Sequence, residues 1–417
     1  MSVRLFYMRI AVSCHICDKA RKVQTILVVF RDKYTMTNQP SSIMNSTESD
    51  FVARVRQVGE TVLAPHAQET DTGATPRMHN FRALAEAGVF GMAIPKAFGG
   101  LDVSPQAQRE VAELLASYCG VTTFTQAQHH GPSRMIANCP NSTLKEALLP
   151  KLATGEWVTG VSFAHLRRPG TPILRADTVK GGYLLQGNAP WVTGWGVMNQ
   201  FVFGATLPDG RFVYLWSPAN RADFPALFAD VAPPNGEWGA MNVSPPIPLC
   251  GMNASATVIL TFKNWFVPQE HWMLESDRET MRRNDRSNVL GATAMPLGCS
   301  AGSVRVLCDT AEKRDIPAVR RAADSFTREW EAVKSEVLEW LNQQDDPRFV
   351  EEALRIRAWC IDLGVRAAHS AITASSGSAN MLTHPAQRLL REALFYTIQA
   401  QTQEVMDATL ARLERVV

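Results

Sequence analysis

Apolar residues recur at helical spacing through the first third of the chain, and the period then changes twice. In Asp50–Ala64, Phe51, Val55, Val58 and Val62 fall on one helical face, and Ser49 or Asp50 stands where a side chain caps such a helix. Helical spacing returns in His79–Ala87, Ser104–Tyr118 and Asn141–Ala153. The stretch Phe81–Leu101, FRALAEAGVFGMAIPKAFGGL, is the most informative. Phe81, Leu84 and Ala85 are helix-spaced, and Gly88 stands where the helix stops. Val89, Phe90, Met92 and Ile94 then form a short apolar run that ends at Pro95, and Gly99-Gly100 makes a turn open to unusual backbone angles.

After Gly155 the period shortens. Trp157–Ala164 is a short apolar run, and Ile173–Val179 alternates before a Lys180-Gly181-Gly182 turn into Tyr183–Gln186. Trp191–Thr193, Phe201–Ala205 and Arg211–Trp216 follow, with Asp209-Gly210 as a second hairpin signal, and Val258–Val267 closes at Pro268. These strands predict a small barrel or sandwich. From about Asn288 the helical period resumes in Val304–Ala311, Ala318–Trp340, Phe349–Ala374 and Pro385–Leu413. Breaks fall at Pro317, Asp345-Asp346-Pro347 and Ser375–Ser378, so a C-terminal four-helix bundle is expected. The fold class is α+β: a leader over 1–49, a helical domain over 50–155, a β domain over 156–270 and a helical bundle over 271–417.

Composition narrows the function. Of 417 residues, 46% are hydrophobic and 20% charged, with a net charge of +2, so no global field favours nucleic acid. No apolar run approaches the ~20 residues of a membrane span. Eight scattered cysteines, with a single Cys14/Cys17 CxxC pair, fit reduced thiols and a cytoplasmic location. The first 35 residues are basic and apolar, whereas Met36 opens a polar stretch; a non-native N-terminal extension is the expectation, ahead of targeting or a zinc pair. GxGxxG, Walker and HExxH motifs do not occur, which argues against a Rossmann cofactor domain and a helical zinc hydrolase.

The segments Phe81–Leu101, GEWVTGVSFAHLRRPGTP, GNAPWVTGWG, LTFKNWFVPQEHW and HPAQRLLREALFYTIQAQTQEV, in this order, resemble the acyl-CoA dehydrogenase superfamily. The resemblance spans roughly Asp50 to Leu413 and implies a helix–sheet–bundle flavoprotein that holds FAD. It places Trp191 on the flavin ring and the Thr193 hydroxyl at a ring nitrogen, chemistry suited to an apolar face with a polar edge. Phe163, Ala164, Gly170 and Thr171 take the positions of the flavin strand and its loop; Thr402 and Glu404 take those after the last turn. His165, Leu166, Arg167 and Arg168 replace the usual acidic and small residues, and the two arginines suit bidentate contact with phosphates. In Leu260–Trp272 the likeness is structural. The family's Arg-x-x-Phe-Gly turn is absent near Lys313–Pro317, and Ser375–Ser378 replaces its double glycine.

The resemblance also exposes a gap. In the family a glutamate removes the α-proton of the thioester. Here Ala400 stands at one position of that base and Asn288 at the other, and neither is a carboxylate. Three functions follow. The first is a dehydrogenase of an acyl-CoA or related small organic substrate with a displaced base. The second is a monooxygenase or oxidase of the same fold using His129 or His130, residues of near-neutral ordinary pKa. The third is a binding protein that kept the fold. Gln401 and Glu404 are lesser polar candidates beside the lost base. The expected partners are a small-molecule substrate and an electron acceptor that the motifs leave open, with no nucleic acid, metal or membrane, in a homodimer or homotetramer.

Overall fold

The first described element is a helix that outruns its apolar pattern. The computed structural model describes residues 46–73 and 76–414; the Cys14/Cys17 pair and nearly all of the expected leader lie outside them. Helix α1, Ser46–Val58, passes through a single wide turn, Gly59–Leu63, into α2, Ala64–Thr72. The sequence pattern placed the end at Ala64. Pro65 instead sits in the first turn of α2, where its missing N–H costs least. Gly59 lets the Tyr118 ring press on the backbone there, since a Cβ would lie 2.4 Å from that ring.

Helix α3, Met78–Glu86, stops at Gly88, whose φ of +87° is the left-handed conformation a helix end requires. The run Val89–Ile94 is buried as expected, but as successive turns. Gly100 seals it: a Cβ there would lie 1.9 Å from the Ile94 carbonyl oxygen. Helix α4, Pro105–Tyr118, is capped by Ser104, whose hydroxyl accepts the Ala107 N–H at 3.2 Å. Helices α5, Gly120–Ala127, and α6, His130–Asn138, follow. Helix α7, Ser142–Thr154, is capped by Asn141 and ends at Gly155, φ +75°.

The strands are β1 Thr159–Ser162, β2 Leu174–Val179, β3 Gly182–Val192, β4 Gln200–Thr206, β5 Phe212–Pro218, β6 Ala240–Val243, β7 Val258–Pro268 and β8 Trp272–Ser276. They form one eight-stranded mixed sheet in the order β6-β7-β3-β2-β4-β5-β8, with β1 parallel to β4, in place of two packed sheets. Strand β5 lies along the whole of one edge of β4, from Gln200 to Thr206. The other edge is shared: β1 takes Gln200–Phe203, and β2 touches only at Thr206. Phe201, Phe203 and Ala205 join one core with β3 and β7. Val202, with Tyr214 and Trp216 of β5, joins a second core with Leu144, Leu148 and Leu152 of α7.

The C-terminal helices are α8 Arg278–Ser287, α9 Ala294–Arg314, α10 Pro317–Leu341, α11 Phe349–Ser375, α12 Pro385–Ile398 and α13 Gln403–Leu413. The continuous helix expected over Pro385–Leu413 breaks in two. Ala400 takes φ +52°, and the Thr402 hydroxyl accepts the Val405 N–H at 3.2 Å as the cap of α13. A left-handed alanine carries no glycine signal in the sequence, so the periodicity ran across it.

Candidate functional site

The candidate site is built on the edge of β1 that β4 leaves free. Gly160 of β1 and Gly194 just past β3 both make room for Met198; a Cβ on either would come within 2.5 or 2.7 Å of its sulfur. Strand β1 and the Trp191–Gly194 turn are thereby brought together. Strand β3 changes register between Ala189 and Val192, at Pro190, which has no N–H to give the ladder. In that bulge Trp191 takes φ +61° and keeps 49% of its surface exposed. A large aromatic side chain held outward in a strained conformation is an unusual use of tryptophan.

Thr193, two residues on, is buried. Its hydroxyl lies 3.1 Å from that of Thr257, which lies 2.8 Å from that of Ser255. Three hydroxyls joined by two hydrogen bonds own three protons, so one proton of the row is left over. When Ser255 donates to Thr257 and Thr257 to Thr193, the Thr193 O–H is free to donate outward.

His129 closes the opposite side. The Thr159 N–H donates to its Nδ1 at 3.3 Å, which makes Nε2 the protonated nitrogen, and Nε2–H donates to the Phe90 carbonyl at 3.2 Å. Both nitrogens are committed, the ring is fully buried, and desolvation pushes its pKa down to about 3. His129 is a neutral tie between three segments. His130 differs. Its Nε2 lies 2.9 Å from Gln126 Oε1, while Nδ1 is buried without a partner. Burial, then the neighbouring His129 and Arg134, hold its pKa well below the ordinary value.

The loop after β1 departs from its expected use. The Phe163 ring packs edge-on against Tyr214, centroids 5.5 Å apart. Ala164 is exposed at the start of a short 3₁₀ turn, and the buried His165 donates Nε2–H to the Gly204 carbonyl at 2.9 Å. Arg167 is not available to a phosphate: its Nε and Nη2 lie 2.8 and 2.7 Å from the two carboxylate oxygens of Asp285 on α8. Arg168, Gly170 and Thr171 are exposed on the stretch that follows.

At the C-terminal wall, the fully buried Arg357 of α11 bridges two turns. It donates to the Ala292 carbonyl, just after Asn288, and to the Gln399 carbonyl at 2.9 Å, just before Ala400. Arg109 adds bonds to the Leu290 carbonyl at 3.0 Å and to the Thr293 hydroxyl at 2.8 Å. The guanidinium between these two turns is held by main-chain oxygens. Desolvation, the nearby Cys360 and Arg109 set its pKa at about 10. Asn288 itself is exposed at the end of α8. Glu404 is engaged by Arg286, whose Nη2 lies 2.6 Å from Oε1, so its carboxylate is not free for a ligand; Thr402 serves as the α13 cap. Ser376 takes φ +57°, and its hydroxyl and the Ala374 carbonyl receive Arg314 Nη1 at 3.0 and 2.8 Å.

One motif escaped the reading of the sequence. Gly298-Cys299-Ser300-Ala301-Gly302 has the GxSxG spacing of a hydrolase elbow. It lies inside α9, with Ser300 buried and its hydroxyl bonded to the Pro296 carbonyl at 2.9 Å. Its glycines are there for packing: a Cβ on Gly298 would lie 2.1 Å from the Glu113 carbonyl oxygen of α4, and one on Gly302 would lie 2.8 Å from that of Ser117. Among the described residues no group of His, Cys, Asp and Glu is placed to hold a metal, and no helix is long and apolar enough to cross a membrane.

Helices, a central sheet and a helical bundle in this order are the architecture shared with solved acyl-thioester dehydrogenases and oxidases. Butyryl-CoA dehydrogenase from Megasphaera elsdenii superposes with a TM-score of 0.74 at 17% identity, covering 89% of this chain and 99% of that one. The prolyl acyl carrier protein oxidase AnaB superposes with 0.72 at 17%, covering 89% and 100%. In sequence, the chain is 22% identical over 394 residues to the mitochondrial 2-methylacyl-CoA dehydrogenase of Solanum tuberosum, covering 89% of this chain and 91% of that protein. Residues 45–156 match the family model of the acyl-CoA dehydrogenase N-terminal domain. The family match thus lies in the N-terminal helical part, and along most of its length the chain is similar to acyl-CoA dehydrogenases.

Proposed function

We propose that the chain is an FAD-dependent oxidoreductase acting on an acyl-CoA or related small organic substrate, with a proton acceptor other than the family glutamate. The observation that carries this reading is Trp191, half-exposed in the left-handed region beside the Thr193 hydroxyl row. A flat aromatic cofactor would cover the indole, and the spare Thr193 proton suits an acceptor on its edge. Bound there, FAD would supply two-electron acceptance. The chain's own part is to hold the ring with Trp191 and Thr193 and to keep β1 in place through His129. Arg168, Gly170 and Thr171 remain for the rest of the cofactor; Arg167, Glu404 and the Phe163 ring have other partners.

A monooxygenase or oxidase on the same fold is the second reading. It is favoured by the unpartnered Nδ1 of His130, on a buried imidazole that stays neutral. A homo-oligomer through the last helices belongs to the proposal as well. It is supported by exposed Leu394 and Ile398 on α12 and Leu410 and Leu413 on α13. The deciding experiment is the visible absorption spectrum of the purified protein before and after FAD is added. Oxidised-flavin bands keep both enzyme readings, which turnover of acyl-CoAs against reduced-flavin hydroxylation then separates. A protein that stays colourless and takes up no FAD leaves the fold as a binding scaffold.

A further inference from the structure

The stretch Gly120–His130 is fastened at both ends. At one end the Gly120 N–H donates to Glu392 Oε1 of α12 at 3.0 Å. At the other, the Thr159 N–H of β1 donates to His129. Midway, Phe124 packs edge-on against Phe395 of α12, centroids 4.6 Å apart. The segment therefore spans from α12, which ends two residues before Ala400, to strand β1, beside the Trp191–Gly194 turn.

Two polar side chains on this span have no outside partner. Gln126 is fully buried, His130 is 6% exposed, and they bond only to each other. Gln126 Nε2 and His130 Nδ1 are left over. With the His130 Nε2–H on Gln126 Oε1, an amide donor and an imidazole lone pair remain. With the amide reversed and the ring proton on Nδ1, a carbonyl oxygen and an N–H donor remain. Either arrangement leaves one unmet donor and one unmet acceptor. Native interiors rarely leave such atoms bare, and a site built this way selects for a group that satisfies both.

We propose that Gln126 and His130 are specificity determinants that recognise a hydroxyl group of the substrate. A hydroxyl donates and accepts at one atom. A carboxylate only accepts, an ammonium only donates, and a methyl group does neither. Burial keeps the imidazole neutral, which also disfavours a charged partner. The inference rests on the reading of the β1 edge as a small-molecule site, and it adds which substrates that site prefers.

The test is calorimetric titration of the purified protein with butyryl-, hexanoyl- and octanoyl-CoA, each against its ω-hydroxylated counterpart. At least one hydroxylated member should bind about tenfold or more tightly than its partner, a preference that vanishes in Q126L and in H130F. Equal affinities within every pair, or a preference that survives both substitutions, overturns the proposal. If no thioester binds, the acyl-CoA reading fails, and a crystal structure of the wild-type protein judges the hydroxyl site. A water or ligand oxygen within hydrogen-bond distance of both Gln126 and His130 Nδ1 supports it. Both side chains turned onto protein partners, with no oxygen between them, overturns it.

Discussion

Arg167 and Asp285, 118 residues apart, form a two-pronged ion pair across the join between the sheet and the bundle, at 2.8 and 2.7 Å. It commits a guanidinium that would otherwise suit a phosphate. Its neighbour Arg168 is exposed and free of such a pair. The expected outcome is that R168A weakens FAD binding, whereas R167A leaves FAD affinity within about twofold and lowers stability by ~1 kcal/mol, the scale of a half-exposed pair. Flavin titration and urea unfolding of the two variants check this; equal flavin losses in both would show that Arg167 leaves Asp285 for the ligand.

Trp191 and Thr193 carry the cofactor proposal. Removing an aromatic stacking partner weakens a flat ligand by ~1–3 kcal/mol, so W191A should lower FAD affinity by roughly one to two orders of magnitude. T193A, which deletes one donor, should cost about 1 kcal/mol. Flavin content after gel filtration reads both. Full occupancy in each variant would return the bulge to an ordinary structural role.

Acid should weaken the fold at pH values where ordinary exposed carboxylates are still ionised. His129 and His271 are buried, with pKa values pushed by desolvation to about 3 and about 4. In the unfolded chain each takes up a proton near pH 6.5. Below that pH the unfolded state binds protons that the native state refuses, so stability falls, by about 2 kcal/mol per ring at pH 5. The loss levels off below the native values. Urea midpoints at pH 7 and pH 5 should converge in H271F relative to the wild type. An unchanged pH slope in that variant would mean that the ring is solvated.

Ala400 already sits at φ +52°, so glutamate there adds little backbone strain beyond what alanine carries. A400E puts a carboxylate at the turn where the sequence resemblance places the proton acceptor, and general-base catalysis supplies ~10²–10⁴-fold. Dehydrogenation of an acyl-CoA, followed with an artificial acceptor, should rise by about 100-fold over the wild type. No rise would show that the pocket does not bring a thioester to this turn. Glycine at the same place should instead stabilise the fold by roughly 1 kcal/mol through relief of the left-handed strain.

Arg357 holds the Ala292 and Gln399 turns by main-chain oxygens alone. Its replacement by methionine removes the donor from both carbonyls, at about 1 kcal/mol each. Hydrogen exchange should quicken over 291–293 and 399–402 together in R357M. Quickening in only one of the two would show that the bridge is not shared.

Much of this fold is legible where a residue acts on its own neighbours. Gly88 stops a helix, Ser104 and Asn141 cap helices, and Lys180-Gly181-Gly182 turns a hairpin, all within a few residues. Helices α5 and α6 were not legible, because Thr122, Thr123, Thr125 and Gln126 put polar groups on the buried face and erase the apolar period. The site was half legible. Trp191 and Thr193 stand out through the resemblance, but the commitments of Arg167 to Asp285 and of Glu404 to Arg286 join residues 118 apart and leave no local trace.

The double fastening of Gly120–His130 also bears on how this protein can vary. Point changes along the segment alter what it presents, but its length is fixed by an anchor at each end. An inserted or deleted residue there would rotate Gln126 and His130 by about 100° relative to one anchor or the other. In the exposed turn around Asn235 and Gly236 the main-chain bonds are local, to Pro233 and Pro234. Length diversity, natural or engineered, belongs in that stretch, and chemical diversity belongs on α5.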